Sequence, residues 1–92
     1  MNKEEIQTIL HHSYIEVSDK LIFFNRKLIK HLIQEKYEDA AKLRDLILDY
    51  IVDESKLIQN EIGGRVSTYK KTLIEINNTI IQELQLKYLY NN

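Results

Sequence analysis

The sequence predicts an all-α fold: three helices in a bundle, with the bundles assembling into an oligomer. Three observations predict it. There is no proline, and the only two glycines are adjacent, Gly63-Gly64. Leu, Ile, Lys and Glu, which favour helix or tolerate it well, dominate the chain. Apolar residues recur at alternating spacings of three and four, the period of one helical face.

The first helix is expected over Asn2 to Gln34. Leu10, Tyr14, Val17, Leu21, Phe24 and Leu28 form its main stripe, and Ile15, Ile22 and Ile29 form a second row at spacings of seven. Such a helix is about 48 Å long. Its two rows cover nearly half the circumference, so it must touch at least two partners. A break is expected at Glu35-Lys36-Tyr37-Glu38, with the second helix starting from Asp39. Its stripe is Ala40, Leu43, Ile47, Tyr50/Ile51, Leu57/Ile58 and Ile62, and Asp45, Asp49 and Asp53 make a solvated acidic strip. Leu46 to Val52 is apolar nearly all round, which predicts burial on more than one side. Gly63-Gly64 ends that helix, since glycine accepts positive φ without a Cβ penalty. Ser67 or Thr68 is expected to cap the third helix. Its stripe is Val66, Tyr69, Leu73, Ile76, Ile80, Leu84 and Tyr88, flanked by Ile74 and Ile81. The aromatic, nearly uncharged end, Leu86 to Asn92, is expected to pack against something before the asparagines fray.

At 92 residues the chain is a single helical domain, 1–92. Thirteen basic and fourteen acidic side chains leave a net charge of -1, which argues against a general nucleic-acid or membrane-surface binder. The absence of cysteine excludes disulfide frameworks, thiolate metal sites and cysteine nucleophiles. The polar start and the lack of a run near ~20 apolar residues predict no signal peptide and no membrane span, hence a cytoplasmic protein.

Residues 37–45 read Tyr-Glu-Asp-Ala-Ala-Lys-Leu-Arg-Asp. An aromatic, an acid pair, Ala-Ala, an apolar residue and Arg-Asp make this stretch resemble the UVR motif, over roughly residues 24–51. That motif is a helical hairpin of the excision-repair proteins UvrB and UvrC, of Clp-type ATPase middle domains and of small Clp adaptors. The resemblance implies a protein-docking hairpin that often pairs with a second copy. It implies that Tyr37 plugs the gap between the helices. Glu38 and Asp39 would then sit at a helix start, where carboxylates favour the dipole. Ala40 and Ala41 would permit close approach, and Arg44 and Asp45 would make hydrogen bonds or ion pairs at the turn.

No catalytic constellation is visible. The serines lack nucleophile-elbow glycines, there is no phosphate-binding loop, and His11 and His12 point about 100° apart on a helix. Neither cofactor nor metal is expected. The leading expectation is therefore a non-enzymatic adaptor or inhibitor, which binds itself and another protein. Ile15, Ile22, Phe23, Ile29, Leu46 and Leu48 are the expected self-association residues. The alternative is an oligomeric protein that sequesters a nucleotide or other phosphate-bearing ligand, such as a virus-encoded antagonist of a host signal. Arg65, Ser67, Thr68, Tyr69 and Lys70 would hold that ligand: cation, hydroxyls, free N–H groups at a helix start and a ring to stack on a base.

Overall fold

The structure, a computed structural model, describes residues 1–89. Three helices follow one another: α1 (Lys3–Ile33), α2 (Tyr37–Ile62) and α3 (Val66–Tyr88). Short turns force an up-down-up arrangement, with α1 and α3 parallel and α2 antiparallel to both. Every helix packs on the other two, so α1 does meet two partners. The molecule is 48 Å long in Cα extent. Among the described residues, no helix is long and apolar enough to cross a membrane.

The core takes four apolar residues from each helix. Val17, Leu21, Leu28 and Ile29 of α1 meet Ala40, Ile47, Ile51 and Ile58 of α2, and Tyr69, Leu73, Ile80 and Leu84 of α3. Three polar residues share that interior: Asn25, Ser55 and Asn77. The Ser55 hydroxyl turns back to the Ile51 carbonyl, 2.7 Å away. Asn25 Nδ2 donates to the Leu21 carbonyl at 2.8 Å and across the core to Asn77 Oδ1 at 2.7 Å. Asn25 Oδ1 is buried with no partner.

The first helix starts on Asn2, whose side chain accepts the Glu5 N–H at 2.8 Å. It ends without glycine. The Lys36 N–H donates to the His31 carbonyl at 2.8 Å and the Glu35 N–H to the Leu32 carbonyl at 3.1 Å. These two bonds form a Schellman motif, and Glu35 occupies its left-handed position with φ 59°. The break therefore falls at Gln34–Lys36, and α2 begins at Tyr37, two residues before the expected Asp39. The second turn uses glycine for a stricter reason. Gly63 has φ 79° and ψ -163°, a region essentially reserved for glycine. Gly64 has φ 86°, and a Cβ there would collide with the Tyr69 hydroxyl.

The cap of α3 corrects the expectation from sequence. Arg65 is the N-cap, with no side-chain hydrogen bond, and Ser67 and Thr68 already lie inside the helix. Leu46 and Leu48, assigned to self-association, are about half exposed in the single chain. At the end of α3, Leu86 is exposed and Leu89 packs against the core. Residues 90–92, part of the segment expected to pack, lie outside the described residues.

Two outcomes follow in urea unfolding. Asn25→Leu strands the Asn77 carbonyl and lowers stability by about 1–2 kcal/mol, whereas Asn25→Leu with Asn77→Leu is at least as stable as the parent chain. Glu35→Gly relieves the left-handed glutamate and raises stability by roughly 0.5–1 kcal/mol, offset in part by the freer unfolded glycine.

Candidate functional site

Three places carry the residues singled out from sequence: the α1–α2 turn, the α2–α3 turn, and the outer flanks of the helices.

At the α1–α2 turn, Glu38 and Asp39 stand in the first turn of α2, where the helix dipole favours them. Ala40 is buried. Tyr37 does not plug the inter-helix gap; it is 63% exposed. It stands instead at the rim of a cavity of about 340 Å³. Leu28, Ile29 and Leu32 line that cavity from α1, Ala40, Ala41 and Arg44 from α2, and Ile81 and Gln85 from α3. The two alanines leave room there that a larger side chain would fill. Arg44 and Asp45 are exposed, and among the described residues neither side chain makes a hydrogen bond or ion pair. Adjacent residues on a helix diverge by about 100°, so the two do not face each other.

At the α2–α3 turn, the expected phosphate cluster loses its aromatic member. Tyr69 is buried, and its hydroxyl donates to the Gly63 carbonyl at 2.6 Å, so its ring is not free to stack on a base. Gln59 Nε2 holds the next carbonyl, that of Gly64, at 3.1 Å. Arg65, Ser67, Thr68 and Lys70 are exposed. Ser67 and Thr68 diverge by about 100° on the helix, so their hydroxyls do not converge on one point. Tyr69 is thus a strut of the turn.

The six residues expected at an interface do not form one patch. Ile29 belongs to the core at 2% exposure and is withdrawn from the interface. The row Ile15, Ile22, Ile29 runs from about half exposed through half-buried to buried. A seven-residue repeat drifts about 20° per heptad on a straight α-helix, which carries this row from the solvent side into the bundle. Ile22 looks over the α1–α3 groove with Ser18, Thr72, Ile76 and Thr79. Leu46 and Leu48 are two residues apart and point about 200° apart, so they serve opposite flanks of α2. Phe23 and Leu46 share the α1–α2 side. The Phe23 ring lies 5.8 Å from Phe24, and Phe24 meets Tyr50 edge-on at 5.6 Å. Lys27 Nζ stands 4.5 Å from the Phe23 ring centre and Lys20 Nζ 5.8 Å from that of Tyr50. Burial, with the Glu54 and Glu16 carboxylates adding to it, pushes the Tyr50 phenol from 10.0 up to about 12.

His11 and His12 are exposed, with ring centres 6.3 Å apart. Among the described residues, no group of three or more His, Cys, Asp or Glu side chains is placed to hold a metal ion. Sequence reading missed Asn25 and Asn77, although both sit at core spacing: Leu21-Asn25-Leu28 and Leu73-Asn77-Ile80 repeat the four-then-three pattern. No protein-family model, no curated protein and no solved structure matches the chain.

The strut role of Tyr69 has a measurable consequence. Tyr69→Phe lowers stability by about 1 kcal/mol through the lost hydrogen bond. Gly64→Ala lowers it by roughly 1–3 kcal/mol, because φ is positive and the tyrosine must give way. Thermal unfolding of both variants checks this, and equal stability of Gly64→Ala would remove the strut.

Proposed function

We propose that the chain is a non-enzymatic interaction module, an adaptor or inhibitor that docks on another protein by its helical surface. The observation that carries it is the surplus of apolar surface on a bundle whose core is already complete. Phe23, Leu46, Leu48, Leu57 and Tyr37 remain about half exposed or more, while all three helices bury a continuous interior. Such residues hold the fold together only weakly and suit recognition. The UVR-like hairpin supports the reading in the same way. Its Tyr37, Glu38, Arg44 and Asp45 all face solvent at one end of the bundle, available to a partner. Tyr37 and Arg44 rim an apolar cavity wide enough to take a partner's side chain.

The test uses the immobilised full chain and an extract of its source cells. The parent chain is expected to retain a defined protein in stoichiometric amount. Tyr37→Ala with Arg44→Ala, both exposed and so harmless to folding, is expected to lose it while circular dichroism stays helical. Identical retention by both forms contradicts docking through the hairpin end.

A further inference from the structure

Three of the exposed apolar residues, Phe23, Leu46 and Leu57, lie on the outer α1–α2 side of the bundle, whereas Ile33 and Tyr88 border α1 and α3 and Leu48 lies on the opposite flank of α2. Phe23 is 55% and Leu46 48% exposed. The ring series Phe23, Phe24, Tyr50 crosses from α1 to α2. Leu46 lies one turn before Tyr50, and Leu57 two turns after it, on the same flank of α2. Phe24 and Tyr50 floor the outer groove between α1 and α2, on the side away from α3, with Leu46 and Leu57 on its α2 edge and Phe23 on the outer face of α1.

Charge is sorted across that groove. The α1 wall carries Lys20, beside the Tyr50 ring, and Lys27, beside the Phe23 ring. The α2 wall carries Asp53 and Glu54, three and four residues beyond Tyr50, and Glu54 is close enough to act on the Tyr50 hydroxyl. Glu16 on α1 and Lys42 on α2, one turn before Leu46, are exceptions, so the sorting holds at the level of Tyr50, where Lys20 stands against Asp53 and Glu54.

We propose that a second copy of this chain binds here, related by a two-fold axis lying in the face and parallel to the helices. That axis sets α1 of each copy over α2 of the other without shifting their levels. Tyr50 is level with residues 20–24, so Lys20 of one copy faces the Asp53 and Glu54 turn of the other, twice per dimer. The other axis lying in this face would stack α1 on α1 and set lysines against lysines. The sorted charges therefore select the partner and its orientation. The face is of sufficient size: α1, 31 residues long, and α2, 26 residues long, each about 10 Å wide, together present roughly the 800 Å² a stable interface takes from each partner. The proposal deepens the interaction-module reading and rests on it. The inner face of the α1–α2 hairpin is already filled by α3, so self-pairing uses the outer one.

Sedimentation equilibrium of the full chain tests this. The parent chain is expected to dimerise, and Phe23→Glu to weaken the dimer roughly tenfold or more with helicity unchanged. Leu48→Glu, on the opposite flank of α2, is expected to leave it intact. Lys20→Glu and Asp53→Lys each place like charges together twice, so each variant alone is expected to dimerise poorly. Mixed, the two restore both contacts and are expected to form a one-to-one heterodimer. A parent chain that stays monomeric, a dimer that survives Phe23→Glu, loss of the dimer in Leu48→Glu, or a mixture no tighter than its components overturns the proposal. A monomer that still retains its partner protein ends the self-pairing and leaves the module reading standing. A dimer that retains none ends only the latter.

Discussion

The hydrogen bond from Asn25 to Asn77 joins residues 52 apart in sequence inside the core, and the register of the bundle depends on it. Apolar side chains alone tolerate sliding or rotation of a long helix against its neighbours, because one Leu or Ile replaces another at little cost. Two buried amides do not. Turning α3 by one residue would strand both in an apolar interior, at about 1–3 kcal/mol for each unpaired group. The pair thus works as a polar residue does at a core position of a coiled coil, giving up stability to select one alignment. Asn25 Oδ1, buried without a partner, is part of what that selection costs.

Register in turn decides which residues face water. With Leu21, Ile51 and Leu73 fixed at the centre, Phe23 and Leu46 fall on the outer α1–α2 side, and Leu48 falls on the opposite flank of α2. The charged rows follow: the lysines of α1 and the carboxylates of α2 border the same groove. Surface chemistry here is a consequence of core alignment, which is why a bundle lacking a catalytic motif can still present a directional face.

The fold was largely legible in the sequence because the three stripes have a clear helical period and Gly63-Gly64 marks one turn. The other turn was located by resemblance, not by propensity. Its mechanism, a left-handed glutamate, leaves no compositional trace, since nothing distinguishes Glu35 from a helical glutamate before the backbone is seen. Tyr37 was misread because the resemblance assigned it to the gap between the helices, whereas the cavity stays open beside it. Tyr69 was also misread. A tyrosine near glycines looks like a stacking ring, but the same proximity lets its hydroxyl brace the turn. Of the interface residues, Phe23 and Leu46 stay exposed on a shared side, while Ile29 is buried, because periodicity gives direction around a helix but not depth.

The most direct measurement of the central claim is hydrogen exchange of asparagine side-chain amides by nuclear magnetic resonance. The Asn25 Nδ2 protons are expected to be protected as strongly as core backbone amides and to show contacts to residues 21 and 77. Asn60 and Asn78, both exposed, supply the unprotected reference in the same spectrum. Exchange of Asn25 as fast as that of Asn60 and Asn78 would contradict it, and the register, the flanks and the charge-sorted face would have to be drawn again.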